Sequence, residues 1–265
     1  MAIREQGAVL ITGATGGMGR PLCARLAAEG RELILAARTR SDLRSLCDTL
    51  EAEYPGPFHA VPLDMADISS VERFGAALTD LDVPLQGAVL MPPQPARSND
   101  PLPPVEAWNQ LFAASFIGPL EVLKQALPHM KSDPATSLRA KIVIVSGISS
   151  AQVLGHYATG NVLRTAWLAE AKVLAFALGP RGIHVNTVSF GGALTPHYLE
   201  LIQQRASANG VTVAEQIGAE TDNVPLRKYG TPEEAAATIA MLLSPVSDHL
   251  TGINLLQDGG FTRAY

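Results

Sequence analysis

The chain has 265 residues, 47% of them hydrophobic and 17% charged, enough apolar material for a sizeable core and no composition of a disordered protein. Twenty Lys and Arg stand against 25 Asp and Glu, a formal net charge of -5 with no basic block, which argues against nucleic acid or an anionic membrane as partner. Cys23 and Cys47 have no metal-ligand spacing, no apolar run reaches about 18 residues, and the first strand begins within a few residues of Met1. A cytoplasmic protein with reduced thiols and no metal site is expected.

In chain order, Ala8 to Ile11 reads as a buried strand, followed by the glycine-rich turn Thr12 to Gly19. A helix then carries Leu22, Cys23, Leu26 and Ala27 on one face, with Pro21 in its first turn and Gly30 as its stop. A strand, a glycine turn and a helix N-terminus together make an anion site, because free N–H groups and the helix dipole point at a phosphate that can come close. Gly13, Thr15, Gly16, Gly17, Met18 and Gly19 are its candidate residues, and a dinucleotide is the expected ligand. Further strands are predicted at Glu32–Ala36, Phe58–Leu63, Leu85–Met91, Lys141–Val145, Gly182–Ser189 and Gly252–Leu256. Helical patterns lie between them: one capped by Ser41 or Asp42, then Asp67–Leu81, Val105–Met130 with a kink at Pro119, Tyr157–Leu178, and one opened by Pro232. The stiff stretch Pro92 to Pro104 reads as a loop over a site, and 194–224 as a substrate-closing segment with helical pieces. Regular β/α alternation predicts a single Rossmann-like domain over 1–265, a doubly wound, mostly or wholly parallel seven-stranded sheet with helices on both faces.

Thr12-Gly13-x-x-x-Gly17-x-Gly19, Asp64-Met65, Tyr157, Val185-Asn186, the run Pro225 to Glu234 and Asp258-Gly259-Gly260 together resemble the short-chain dehydrogenase/reductase family over nearly the whole chain. The resemblance implies an oxidoreductase acting on CH–OH or C=O groups with a nicotinamide cofactor. An enzyme for NAD places a carboxylate after the second strand to receive the ribose 2′-OH. Here that position is Ala37, followed by Arg38, whose guanidinium suits a 2′-phosphate, so NADP(H) is expected. Asp64 and Met65 are expected at the adenine, Leu90, Gly191 and Ala193 along the cofactor, and Thr195 at its carboxamide and phosphates. Plain alternatives stand beside these: Arg38 as a solvated loop residue, Asp64 as a turn former and Thr195 as a helix cap.

The departures from the family pattern fall on the chemistry. Leu90-Met91-Pro92-Pro93 replaces the family's Asn-Asn-Ala-Gly, and Ser115 stands at its relay asparagine. The serine slot falls by strand register on Gly147 with Ser146 one place earlier, so Ser146 is the candidate, while Ser149 and Ser150 read as turn residues. Tyr157-x-x-x-Asn161 replaces Tyr-x-x-x-Lys. A spacing of four puts two helical side chains on one face. Asn161 would hydrogen-bond the ribose without supplying charge. An unassisted phenol of pKa about 10 is phenolate in roughly one part per thousand at pH 7, so slow activity biased toward reduction is expected. His156 and Lys172 offer no ready substitute.

Three functions follow. The first is NADPH-dependent reduction of a carbonyl, with Tyr157 as general acid and Ser146 holding the oxygen. The second is a redox-impaired NADP(H)-binding sensor or scaffold, and the third a non-redox cyclase or dehydratase on the same fold. The substrate is a small molecule, and the pocket is expected to be apolar with few charges. The resemblance also implies a homodimer or homotetramer, with Trp167, Leu168 and Phe176 as candidate contacts.

Overall fold

The computed structural model describes residues 7–263 apart from 134 and 137; the remainder of the 1–265 unit, residues 1–6 and 264–265, lies outside the described residues. Seven strands form one sheet: β1 (Ala8–Thr12), β2 (Leu33–Ala37), β3 (Phe58–Pro62), β4 (Leu85–Leu90), β5 (Ala140–Gly147), β6 (Ile183–Phe190) and β7 (Asn254–Gln257). Their order is β3-β2-β1-β4-β5-β6-β7 and every neighbouring pair is parallel. Connections run one way from β1 and the other way from β4, so the chain reverses direction across the sheet between these two strands. A crevice outside the carboxyl ends of the strands opens at such a point. Thr12 ties its two sides together: its hydroxyl accepts from Met91 N at 2.8 Å and donates to Val89 O at 3.3 Å.

Side chains alternate strictly between two cores, as the period of two in a strand requires. From β1, Ala8 and Leu10 face the layer of α3 (Ile68–Leu81), α5 (Gly118–Ala126) and α6 (Ala158–Leu178). Val9 and Ile11 face α1 (Gly19–Ala28), α2 (Arg40–Glu53) and α9 (Pro232–Leu243). Phe74 and Trp167 are among the largest fully buried side chains. Each contributes about 1.5–3 kcal/mol by leaving water. Trp167 donates its indole N–H to Ser115 O at 2.9 Å, so it belongs to its own core and not to a subunit contact; Phe176 on the same helix is 78% exposed. Burial pushes the Cys23 thiol up to about 12 and the Cys47 thiol upward too, consistent with inert core thiols.

Two helical expectations change. The helix predicted over Val105–Met130 divides into α4 (Val105–Phe112), a π turn (Ala113–Ile117) and α5. Pro119 has no N–H for the carbonyl four residues back, and its ring would strike that carbonyl, so the backbone widens just before it. Helix α6 starts at Ala158, leaving Tyr157 at the N-cap with φ -130 and ψ 43, outside the helical geometry. The segment after β6 forms α7 (Pro196–Asn209) and α8 (Val213–Glu220), the latter opened by a Thr212–Glu215 capping box. No helix among the described residues is long and apolar enough to cross a membrane.

Candidate active site

A cavity of about 1260 Å³ opens at the carboxyl ends of the strands. One end is the glycine turn. Gly13 has a φ of +64, and a side chain on Gly19 would run into the Gly13 carbonyl, so both positions need glycine for the turn to close onto α1. Among the described residues the N–H groups of Thr15, Gly17 and Met18 have no backbone partner, which leaves donors at a helix N-terminus facing the cavity. The start of the flap lies against this turn: a Cβ on Gly17 would be 2.9 Å from Thr195 Cβ. Thr195 also caps α7 by accepting from Tyr198 N at 3.3 Å. Gly191 and Ala193 line the cavity, and Ala193 bridges to Gly230.

Of the sequence-derived site residues, Gly13, Thr15, Gly16, Gly17, Met18, Gly19, Ser146, Tyr157, Gly191, Ala193 and Thr195 line this one cavity. Arg38, Asp64, Met65, Leu90, Ser115 and Asn161 do not. Arg38 is exposed just past β2, at the carboxyl edge of the sheet. Asp64 shapes a turn, its carboxylate accepting from Ala66 N at 3.0 Å. Met65 and Leu90 are buried in the core; at Leu90 the alternation of β4 turns the side chain away from the crevice and brings Met91 to it. Ser115 is buried in the π turn, 3% exposed, under Trp167.

Asn161 is the largest correction. Its amide makes two hydrogen bonds to one backbone unit, accepting from Leu154 N and donating to Leu154 O, each at 3.0 Å. That pairing secures the loop before α6 and points the amide away from the cavity lining. The four-residue spacing was misleading because Tyr157 is an N-cap and does not share the helix's periodicity.

The side chain that faces Tyr157 from α6 is Arg164. Its guanidinium lies 4.9 Å from the Tyr157 ring centroid, donates to Ser149 Oγ at 3.0 Å and to Gln94 Oε1 at 2.7 Å, and presents a buried Nε with no hydrogen-bond partner. It fits because Gly147 has no side chain: a Cβ there would be 2.8 Å from the guanidinium carbon. The expected serine slot is thus occupied by a cation. Burial pulls the Arg164 pKa below its ordinary value while Tyr157 opposes the shift; an arginine still remains a cation. Ser146, beside Gly147, has a buried hydroxyl without a partner. Ser149, taken from the sequence as a turn residue, positions Arg164.

Arg97 also approaches Tyr157, from the proline-rich loop. Its Nε donates to the Tyr157 hydroxyl at 3.4 Å, with the guanidinium 5.7 Å from the ring centroid. The proline-rich loop is held there by a short backbone bridge: Ser98 N donates to His156 O at 3.1 Å, and Ala158 N donates to Ser98 O at 2.9 Å. Burial, then Arg97 and Arg164, push the His156 pKa below the ordinary histidine value. The cavity is therefore cationic around Tyr157, not weakly charged as the sequence suggested. Arg97, Arg164 and Gln94 were missed by sequence reasoning. No spacing counted from Tyr157 could have found Arg164, since Tyr157 lies outside the periodicity of α6.

An α/β chain with its crevice at the reversal of a parallel sheet, a glycine turn against a helix N-terminus and a tyrosine lining the crevice defines a dinucleotide-fold class. The family model for enoyl-(acyl carrier protein) reductase matches residues 13–262, and the chain belongs to the short-chain dehydrogenase/reductase family. It is 29% identical over 253 residues to the L-xylulose reductase of Cavia porcellus, covering 95% of each chain. Its fold matches the NADPH- and L-sorbose-complexed L-sorbose reductase of Gluconobacter frateurii with a TM-score of 0.89 at 21% identity, covering 98% of each chain. It likewise matches the NADPH-bound short chain oxidoreductase of Pseudomonas aeruginosa PAO1, described as containing an atypical catalytic center, with a TM-score of 0.86 at 24% identity and 98% of each chain covered.

Proposed function

We propose that this oxidoreductase is an NADPH-dependent carbonyl reductase in which Tyr157 is the general acid and Arg164 supplies the positive charge that a lysine gives other members of the family. The observation that carries this reading is the Tyr157 side chain in the cavity, flanked by the guanidiniums of Arg164 and Arg97. The cradle fits a dinucleotide: unpartnered N–H groups at the turn would hold its phosphates, and Arg38 at the end of β2 would pair with a 2′-phosphate. NADPH, when bound, supplies the hydride that reaches the carbonyl carbon. The NADPH-bound structures of the sorbose reductase and the Pseudomonas oxidoreductase support the same cofactor.

The protein's own part is proton transfer and charge stabilisation. Tyr157 gives its proton to the carbonyl oxygen as negative charge gathers there, and solvent at the cavity mouth restores it. Arg164 and Arg97 stabilise the negative charge left on the phenol oxygen. The reason for expecting sluggish oxidation was a neutral Asn161 beside the tyrosine; with two cations there, it no longer applies. The exposed side chains Phe176 and Val173 on α6 support assembly as a homodimer or homotetramer through that helix.

A thermal-shift comparison tests the cofactor: NADPH should raise the melting temperature well above NADH, and Arg38→Asp should remove the difference. A carbonyl panel followed by NADPH absorbance tests the reaction. Tight NADPH binding with no turnover of any carbonyl would favour the sensor reading instead.

A further inference from the structure

We infer that the cavity mouth is a carboxylate subsite anchored by Arg97, and that the substrate is a small oxo acid. The inference rests on the carbonyl-reductase reading above and adds the substrate class to it.

The argument is an account of charge. Four acidic side chains line the cavity, and each is engaged by another group. Glu220 is paired with Arg205 at 2.6 Å and Glu234 with Lys228, while Glu200 lies 3.8 Å from the ring of the exposed His197. Asp258 accepts from Gly260 N at 2.9 Å and Thr262 N at 2.7 Å. None of these carboxylates pairs with Arg97 or Arg164, and among the described residues neither arginine forms an ion pair with a carboxylate. Two cations converge on one phenol without a counter-charge. A carboxylate on the substrate would meet an unpaired guanidinium there.

The two arginines are not equivalent. Arg164 is held by Ser149 and Gln94, its guanidinium 4.9 Å from the Tyr157 ring centroid. Arg97 uses only its Nε, toward the tyrosine hydroxyl; its two terminal nitrogens have no hydrogen-bond partner among the described residues. A free guanidinium edge matches the two oxygens of a carboxylate. The backbone bridge from Ser98 to residues 156–158 holds this edge beside the reacting position.

Geometry limits the distance between the two substrate groups. Arg97 Nε is 3.4 Å from the tyrosine oxygen. A carbonyl oxygen sits about 2.7 Å from that hydroxyl, and a carboxylate about 2.8 Å from the guanidinium. These contacts keep the carbonyl and carboxylate oxygens within about 9 Å of one another, a separation that 2-oxo and 3-oxo acids meet.

The test compares 2-oxobutanoate and 3-oxobutanoate with their methyl esters, following NADPH oxidation. The better acid should exceed its ester in kcat/KM by roughly 100-fold, the size of a charge-assisted paired contact. In Arg97→Gln that ratio should fall to near one, mainly through KM for the acid. A ratio near one in the unaltered protein, or a ratio that survives Arg97→Gln, overturns the inference. A binding measurement separates this from the parent reading: calorimetric titration of 3-hydroxybutanoate into the protein loaded with NADP+. Binding that weakens by at least about tenfold in Arg97→Gln supports the subsite even if no carbonyl is reduced, in which case only the reductase reading fails. Absent binding, or binding indifferent to Arg97, overturns the subsite.

Discussion

The two ends of the cavity are built differently. The phosphate end is one continuous stretch, Gly13 to Gly19, in which backbone N–H groups and missing side chains do the work. The catalytic end gathers Gln94, Arg97, Ser149, Tyr157 and Arg164 from two loops and a helix through side-chain contacts. Backbone sites are local and keep their sequence signature. Side-chain sites admit replacements from other positions, so a motif at fixed spacing can vanish while the charge it supplied returns from elsewhere.

The largest expected break in this comparison is at the catalytic end. Tyr157→Phe removes the acid and should lower kcat by roughly 100- to 10,000-fold while NADPH affinity by fluorescence titration stays the same. A matching loss of NADPH affinity would show that the two ends are not separable. At the other end, Gly19→Ala should lower NADPH affinity by at least about tenfold and stability by about 1–3 kcal/mol, because the new methyl meets the Gly13 carbonyl. Equilibrium unfolding beside the titration would distinguish a broken cradle from a broken fold.

The smallest effect concerns the flap. Arg205 chiefly, with Tyr229 and Gln216, holds the Glu220 carboxyl down at about 2, and burial opposes this. A free glutamate titrates at about 4.3. The lowered value means the contribution is fully present above about pH 4.3 and is lost as pH falls through about 2. Glu220→Gln should therefore destabilise the protein at pH 7 by on the order of 1 kcal/mol, with the difference shrinking toward pH 2.5. A urea-midpoint difference that is constant from pH 7 to pH 2.5 would show that the ion pair is not its source.

Much of the fold was legible because short signals agreed with one another. Alternating runs marked the strands, Asp67 capped α3, and Thr231 with Glu234 formed the box that opens α9 at Pro232. Pro119 pointed to a kink, but not to the π turn that absorbs it. The phosphate turn was legible for the same local reason. The catalytic end was not, since its key fact is a single residue of helix boundary. With Tyr157 at the N-cap, a count of four from it reaches Asn161, which is tied to Leu154, while Arg164 three residues further faces the ring. No spacing rule reports that Gly147 leaves room for a guanidinium, or that a proline-rich loop bridges to residues 156–158 and brings Arg97 with it.

The central claim is that Arg164, and not Asn161, completes the site around Tyr157. Single-turnover oxidation of bound NADPH by a carbonyl substrate, compared between Arg164→Met and Asn161→Ala, tests it most directly. Arg164→Met should slow the step by about 100-fold at undiminished NADPH affinity. Asn161→Ala should leave the rate within a few-fold of the unaltered protein and cost about 1–3 kcal/mol of stability through the lost Leu154 bonds. The opposite pattern, a slow Asn161→Ala and an active Arg164→Met, would contradict the account.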